Sequence, residues 1–191
     1  MPPDFDLQKK RLLDIITSST SISPVQSRAG NIPLPNWYLG PGCIPTVVWN
    51  TLCDRPLEEH MDDIDLVYFD GEDLTEAGEQ RGQQQINALF DDLTIDIDVI
   101  NEARVNLWYE DKFGHAIPPY DSVEDGIASW VSTSAIGIRR NRGAYEVHAP
   151  CGLDDLFTMT IRPNKRVVSE AYYIKKTAQW KQTWPAVQVV P

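Results

Sequence analysis

Two short segments in which aspartate alternates with isoleucine constrain the fold of this chain most strongly. Asp63-Ile64-Asp65 begins an apolar run that continues to Phe69, and residues 94–100 read TIDIDVI. A period of two is typical of a β-strand, and it places the aspartates of each segment on one face, ~6–7 Å apart along the strand. Such like charges repel, so they require either solvent on an edge strand or a bound cation. The apolar residues that follow Asp65 on both faces favour a central strand, and therefore a cation.

If the two strands are neighbours, a third carboxylate, from Asp96 or Asp98, joins Asp63 and Asp65. The period of two does not choose between these alternatives. Three carboxylates can hold two hard divalent cations, since Mg²⁺ prefers oxygen ligands and readily shares phosphate oxygens. The third carboxylate of such a site often serves also as the base that accepts a proton from an attacking hydroxyl. The sequence therefore predicts a Mg²⁺ or Mn²⁺ site suited to phosphoryl chemistry.

A glycine turn lies between a predicted short strand, residues 37–39, and a predicted helix that continues to Leu52. Gly40-Pro41-Gly42 would let backbone N–H groups approach an anion at the start of this helix, although Gly-x-Gly also occurs in ordinary turns. Pro45 falls in the first helical turn, where its missing N–H does little harm. Cys43 falls at the helix N-terminus, which predicts a lowered thiol pKa. Because the neighbouring sequence offers no histidine as a base, we interpret Cys43 as backbone of a phosphate-binding turn rather than as a nucleophile.

The remaining segments predict helices around a small mixed sheet. Apolar spacing and turn residues predict helices over 6–18, 72–92, 101–112, about 121–131, 152–157 and 169–180, a connector over 20–35, and a hairpin over 132–150 that turns at Asn141-Arg142-Gly143. The helix over 72–92 is expected to pack through Leu74, Ile86 and Leu89. The tail after Pro185 is either an added edge strand or a loose end. The pattern is that of an α/β or α+β domain.

The length of 191 residues suits one well-buried domain better than two. We divide this domain into an N-terminal helix and connector (1–36), a metal- and nucleotide-binding core (37–112), and a C-terminal hairpin and helical part (113–191).

The charge and the cysteine content limit the possible partners and the possible cellular compartment. The net charge of −11 argues against general nucleic-acid binding, which needs Lys and Arg to neutralise phosphates. Arg139, Arg140 and Arg142 form either a local basic patch or, as we favour, the tip of a solvated hairpin. The 3 cysteines lack close pairs and fit a reducing compartment. With no secretory signal and no run of ~20 apolar residues, we expect a soluble protein of the cytoplasm or nucleus.

The order of the glycine turn, the Asp-Ile-Asp strand and a lone carboxylate on a later strand resembles the DNA polymerase β-like nucleotidyltransferase superfamily. The chain resembles more closely a small family of free-standing nucleotidyltransferase-like domains. The segments that carry the resemblance lie within residues 37–191, namely YLGPGCIPTVVWNTL, DIDLVYFD, DVINEARVNLWYEDKFG, IPPYDSVEDGIASW, APCGLDDLFTMTIRPN and WKQTWPAVQVVP. The resemblance implies a polymerase-β-like fold, a small mixed sheet flanked by helices, with a C-terminal hairpin and helix.

The resemblance also implies roles for particular residues. In the family's pattern the third carboxylate stands three residues before the asparagine of an Asn-x-Ala-Arg-Val segment, and that asparagine is Asn101 here. This implies Asp98 rather than Asp96 as the third metal ligand. The implied metal-binding and catalytic carboxylates are Asp63, Asp65 and Asp98, and the nucleotide-binding positions are Gly40, Gly42, Cys43, Asn101 and Arg104. Arg104 could equally pair with an acid of the fold.

The implied reaction moves a nucleoside monophosphate from an NTP to a hydroxyl group and releases pyrophosphate. The acidic composition favours a small molecule or a protein side chain over a nucleic acid as the acceptor. The chain departs from the family's pattern at Pro45, where arginine or a similar polar residue is usual, and at Asn106, where histidine is usual. These departures leave an alternative, a catalytically degenerate nucleotide-binding or protein-interaction module with the same fold.

Overall fold

The computed structural model describes residues 5–164 and 169–191. The helices of this part of the chain are α1 (Phe5–Ser18), α2 (Ile22–Ser27), α3 (Cys43–Leu52), α4 (Glu76–Leu89), α5 (Val105–Phe113), α6 (Val123–Ala128), α7 (Asp154–Phe157) and α8 (Glu170–Thr183). The strands are β1 (Tyr38–Leu39), β2 (Asp63–Tyr68), β3 (Asp96–Asn101), β4 (Gly137–Asn141), β5 (Ala144–His148), β6 (Thr160–Ile161) and β7 (Gln188–Val189). Two short 3₁₀ turns cover Ala29–Asn31 and Glu102–Arg104.

The main sheet is mixed and has five strands in the order β3-β2-β1-β4-β5. Only the pair β2 and β3 is parallel, while the other neighbours are antiparallel. A separate parallel pair joins β6 to β7. This confirms the predicted small mixed sheet flanked by helices. The pairing of β7 with β6 also decides between the two alternatives for the C-terminal tail, which forms an added strand rather than a loose end.

The two faces of the sheet carry different side chains because β2 and β3 alternate with a period of two. On one face Ile64, Leu66 and Ile97 belong to the main hydrophobic core, together with residues of α1, α3 and α4. On the opposite face, Ile127 of α6 packs over the ends of β2 and β3, near Val67 and Ile100. The beginnings of β2 and β3 on that face bear aspartates and remain uncovered by α6. The fold therefore leaves the charged ends of β2 and of its edge neighbour β3 open.

The segment predicted as a plain connector contains helix α2 and one of the 3₁₀ turns. Ile22 and Val25 are fully buried in the core, and this burial favours helix over the local preference for coil. Pro24 is tolerated because it lies in the first turn of α2.

Two other predicted helices begin later than expected, each directly after a residue whose side chain caps the helix N-terminus. The helix expected over 72–92 begins at Glu76, since the Thr75 side chain accepts a hydrogen bond from the Gly78 N–H. Leu74 therefore precedes the helix and is 44% exposed, so the predicted packing through Leu74 is wrong, whereas Ile86 is buried as expected. The helix predicted over about 121–131 is shorter and follows a Ser122 cap.

None of the helices in the described ranges is long and apolar enough to cross a membrane.

Asn50, near the end of α3, connects three parts of the chain. Its side-chain amide donates hydrogen bonds to the Leu57 and Glu59 carbonyls at 3.1 and 2.7 Å, and its oxygen accepts one from the Trp184 indole at 2.9 Å. Asn50 is 0% exposed, so water cannot replace these partners. The neighbouring Trp49 ring packs edge-on against Trp184 with centroids 5.3 Å apart. Helix α3 thus holds the end of α8 in place.

We expect Asn50→Ala to lower the free energy of unfolding by about 2–4 kcal/mol, because it leaves a buried indole N–H and two partly buried carbonyls without their partner. Urea denaturation followed by circular dichroism measures this loss. Asn87→Ala, which changes an exposed asparagine of α4, is the matched control and should shift stability by less than about 0.5 kcal/mol. Equal effects of the two substitutions would contradict the assigned role of Asn50.

Candidate active site

The parallel pairing of β2 with β3 brings the predicted carboxylates together. In this register Asp63 stands opposite Asp96, and Asp65 stands opposite Asp98. Partners in register lie on the same face of a sheet, so all four side chains share the open face. Asp63 and Asp65 are half-buried, whereas Asp96 and Asp98 are exposed because β3 is an edge strand.

A cavity of about 640 Å³ opens beside the aspartates of β2. One wall consists of the glycine turn with Asp63 and Asp65, and the opposite wall comes from α5 and α8. The second wall is largely aromatic, with the side chains Trp108, Tyr109, Phe113, Tyr172 and Trp180. Asp98 does not line the cavity. It lies next to Asp65 on the neighbouring strand, β3. The cavity thus joins an acidic end to an aromatic end.

The glycine turn packs directly against Asp65. The Gly40 N–H donates to the Asp65 carbonyl at 2.8 Å, and the Gly42 N–H donates to Asp65 Oδ2 at 3.3 Å. A Cβ at Gly40 would approach the Asp65 Cβ at 3.2 Å, and one at Gly42 would approach Oδ2 at 3.1 Å. The close approach of two backbone segments therefore favours glycine at both positions. The Gly42 N–H, which we expected to face an external anion, contacts the Asp65 carboxylate here.

Cys43 begins α3 and is 1% exposed. Burial and the nearby charge of Asp65 raise the pKa of the Cys43 thiol well above its usual value. The predicted lowering of this pKa is therefore wrong, because desolvation outweighs the effect of the helix N-terminus. The buried, protonated thiol agrees with our interpretation that Cys43 is no nucleophile. Cys43 does contribute to the wall of the cavity.

Burial and neighbouring negative charge make the two cleft aspartates weaker acids. Burial, followed by the charge of Asp63, raises the pKa of Asp65 to about 6. Burial, followed by the charge of Asp98, also raises the pKa of Asp63. Lys176 acts in the opposite direction on both groups. The carboxylates therefore share a region where a cation would be strongly favoured.

Lys176 is a residue of this cavity that the sequence did not reveal. It lies on α8 and is the one Lys or Arg side chain among the described residues that line the cavity. Its ammonium group lies 5.5 Å from the centroid of the Trp180 ring, one helical turn further along α8. The sequence shows Lys175 and Lys176 as an ordinary pair on a helix, and only the packing of α8 distinguishes them.

Glu102 is a second residue that the sequence did not single out. It lines the cavity yet is only 3% exposed, and a Cβ at Gly126 would meet Glu102 Oε2 at 2.5 Å. Burial, followed by the charge of Asp65, raises the pKa of Glu102 to about 8. Continuing the period of two from Asp98 through Ile100 leads to Glu102, and this was the available signal.

Asn101 lies at the end of β3, away from the cavity, and is 0% exposed. Its side-chain oxygen accepts from the Asp70 N–H at 3.0 Å, and its amide nitrogen donates to the Asp70 carbonyl at 3.0 Å. Arg104 donates to the Leu74 carbonyl at 3.0 Å and pairs with Glu79. These contacts hold the loop before α4 against β3. The structure therefore does not bring Asn101 and Arg104 to the cleft, and Arg104 takes the ion-pair alternative.

The two departures from the family's pattern also lie outside the cavity lining. Pro45 is buried within α3, and Thr46 is the neighbouring residue that lines the cavity. Asn106 is half-buried near the start of α5. Neither substitution removes a side chain from the cavity as it is formed here.

The donor set of the cleft matches a hard divalent cation, since its carboxylates are held together although they repel one another. Within residues 5–164 and 169–191, however, no three His, Cys, Asp or Glu side chains are already gathered closely enough to hold a metal ion. The chemistry of Asp63, Asp65 and Asp98 fits Mg²⁺ or Mn²⁺, and their side chains are not preassembled around one.

The mixed sheet, with a glycine turn against an Asp-x-Asp strand, agrees with the polymerase-β-like nucleotidyltransferase fold that the resemblance implied. The profile of a family described as nucleotidyltransferase matches residues 27–189, and the chain belongs to this nucleotidyltransferase family. No curated protein sequence matches. An NMR structure described as a CCA-adding enzyme head domain aligns with a TM-score of 0.75 over 95% of this chain and 95% of that chain, at 20% identity. At that identity the likeness shows the shared fold alone.

We expect Glu102→Gln to stabilise the metal-free protein at high pH and to have less effect at low pH. The side chain of an unperturbed glutamate titrates with a pKa of 4.5, and the pKa of Glu102 is raised to about 8, so the folded state keeps a proton that the unfolded state loses. The stability contributed by this group therefore falls as pH rises from about 4.5 through about 8. The gain from Glu102→Gln should be at least about 1 kcal/mol larger at pH 8.5 than at pH 5.

Urea unfolding in the presence of a chelator measures this difference. The exposed Glu110 on α5 supplies the control Glu110→Gln, whose effect should not change between the two pH values. A gain from Glu102→Gln that is independent of pH would refute a protonated Glu102.

Proposed function

We propose that this protein is a metal-dependent nucleotidyltransferase that transfers a nucleoside monophosphate from an NTP to a hydroxyl group of an acceptor and releases pyrophosphate. The observation that carries the proposal is the shared open face of β2 and β3, where Asp98 stands beside Asp65, and where Asp63 and Asp65 line a cavity of about 640 Å³. Membership of a nucleotidyltransferase family supports the class of reaction.

In this proposal Asp63, Asp65 and Asp98 hold Mg²⁺ or Mn²⁺. A bound divalent cation would neutralise charge on the triphosphate and favour deprotonation of the attacking hydroxyl. Asp98 is exposed beside Asp65, so it is open to an acceptor, and we assign to it the role of accepting the hydroxyl proton. Most of the rate enhancement in such a site comes from positioning and from electrostatic stabilisation, both of which a rigid strand pair supplies.

The remaining groups of the cavity suit the other parts of an NTP. Lys176 faces the same space as Asp63 and Asp65, so it would balance phosphate charge on the side opposite the aspartates. The turn at Gly40 and Gly42 brings backbone close to that space. The aromatic end of the cavity, which includes Trp108 and Tyr172, offers ring faces on which a base can stack.

The acceptor that we propose is a small molecule or a protein side chain. The chain carries a net charge of −11, and the described lining of the cavity contains a single lysine and no arginine. A polynucleotide would need several cations along its path to neutralise its phosphates. We place the reaction in the cytoplasm or nucleus, where NTPs are abundant and free cysteines persist.

Nucleotide binding by calorimetry tests the proposed site. We expect one or more NTPs to bind wild-type protein only with Mg²⁺ or Mn²⁺, and we expect Asp63→Asn/Asp65→Asn to weaken this binding by at least about tenfold, because a metal site loses two charged ligands. Absence of NTP binding under every metal condition would overturn the proposed site. Binding that is intact but leads to no pyrophosphate release with any acceptor would favour the degenerate module instead.

Asp96 provides a matched control for Asp98 on the same strand and face. We expect Asp98→Asn to reduce pyrophosphate release by about 100-fold or more, whereas Asp96→Asn should retain activity within about threefold. The reverse order would show that the third carboxylate is Asp96.

Lys176→Met tests the proposed contact with phosphates. We expect it to weaken NTP binding by about tenfold or more, because one charge-assisted interaction is lost, while binding of the unphosphorylated nucleoside stays unchanged. Lys175→Met, at an exposed position of α8, is the control and should leave both affinities unaltered. An equal loss for nucleoside and NTP would point to a general effect on α8 and against a phosphate contact.

A further inference from the structure

A second cavity, of about 500 Å³, lies at the other end of β1 from the glycine turn. Asn36 and Trp37 line it immediately before β1, whereas Gly40 follows that strand. The tip of the β4–β5 hairpin and residues of α2 form its other sides. The nucleotide cleft and this cavity therefore share no lining residue among those that the structure describes.

The second cavity is basic in an acidic protein. Arg139, Arg140 and Arg142 line it, and the described lining includes no Asp or Glu. Arg139 is already neutralised, since its Nε donates to Glu146 Oε2 at 2.6 Å. Arg140 and Arg142 have no ion-pair partner within the described ranges, although the chain has an excess of 11 negative charges. The hairpin tip thus presents two exposed guanidinium groups without an ion pair at this cavity. That of Arg140 lies 6.0 Å from the centroid of the Tyr145 ring, and the charge of Arg142 acts on the Glu146 carboxyl.

Gln26 supplies an independent observation that points to a ligand in this cavity. Gln26 lines the cavity and is 0% exposed, and its amide nitrogen donates to the Ile138 carbonyl at 3.4 Å. Its side-chain oxygen is buried without any hydrogen-bond partner. Exchanging the amide nitrogen and oxygen would place this oxygen against the Ile138 carbonyl, which is also an acceptor, so the reversed orientation does not supply a donor either. A buried acceptor without a donor is rare in folded proteins and destabilises them.

These groups together specify a ligand with two features. Two guanidinium groups without an ion-pair partner suit a phosphate, which arginine binds with paired N–H donors. The Gln26 oxygen suits a hydroxyl or amino group on the same ligand. Leu34 and Trp37 add apolar surface at which the body of such a ligand can pack.

We propose that this cavity binds a small phosphorylated molecule of the sugar-phosphate or nucleotide class. Its phosphate contacts Arg140 and Arg142, and one of its hydroxyl or amino groups donates a hydrogen bond to the Gln26 oxygen. A cavity of about 500 Å³ matches the usual size of small-molecule sites. The site is additional to the nucleotide cleft, and the proposal does not depend on the function proposed for that cleft.

Titration calorimetry in the presence of a chelator, on protein that carries Asp63→Asn/Asp65→Asn, tests this site while the nucleotide cleft is disabled. The probes are ribose 5-phosphate, AMP, inorganic phosphate and a short single-stranded oligoribonucleotide. We expect ribose 5-phosphate or AMP to bind, and Arg140→Ala/Arg142→Ala to weaken this binding by at least about tenfold. Arg140→Lys/Arg142→Lys should bind with intermediate affinity, because lysine keeps the charge but loses the paired donors.

Two further variants separate the site from general electrostatics. Arg11→Ala removes an exposed arginine of α1 outside the cavity and should leave binding unchanged. Gln26→Leu should weaken ribose 5-phosphate but not inorganic phosphate, which occupies only the arginine end. Thermal unfolding verifies that each variant is folded.

The proposal is overturned if neither ribose 5-phosphate nor AMP binds at millimolar concentration, or if Arg140→Ala/Arg142→Ala binds them as wild type does. Tight binding of the oligoribonucleotide through Arg140 and Arg142, without binding of the small probes, also overturns it and makes the hairpin an RNA contact. If Arg11→Ala weakened the binding of the small probes as much as Arg140→Ala/Arg142→Ala does, the cause would be the overall charge of the protein, which would also overturn the proposal.

Discussion

The parallel pairing between β2 and β3 is the interaction on which the rest of this site depends. Backbone hydrogen bonds hold the two strands in a register that sets Asp65 beside Asp98 and Asp63 beside Asp96. Burial, together with repulsion between the carboxylates, raises the pKa values of Asp63 and Asp65 there. Burial of Ile64, Leu66 and Ile97 on the opposite face stabilises the pair against this repulsion. The core thus maintains an arrangement that the site alone would disfavour.

The opposite wall of the cavity depends on the anchoring of α8. Trp184 follows that helix and is fixed by Asn50 and by the Trp49 ring, both at the end of α3. The same helix, α3, begins at the glycine turn that contacts Asp65. One helix therefore connects the aspartate wall with the wall that carries Lys176, and the two walls rest on a common support.

Local pattern predicted much of this fold, because alternation and turn residues act over short distances. The strands of Asp65 and Asp98, helix α3 and the hairpin at Arg142 were all predictable in this way. Lys176 was not, because its place in the cavity depends on contacts between segments far apart in the chain. Alternation from Asp98 leads to Glu102, but the burial of Glu102 against Gly126 depends on such a distant contact. The lowered pKa predicted for Cys43 failed for the same reason, since a helix N-terminus is visible in sequence while burial is not.

The long separation between the two walls has a consequence for synthesis. The ribosome releases the glycine turn and the strand of Asp65 long before it releases α8, and Trp184 can meet Asn50 only after that. Closing a contact between residues so far apart in sequence has an entropic cost that slows it. The aspartates are therefore present for some time before Lys176 reaches the other side of the cavity. A partly made chain therefore lacks the complete cavity, and the capacity to capture a ligand arises only when α8 has docked.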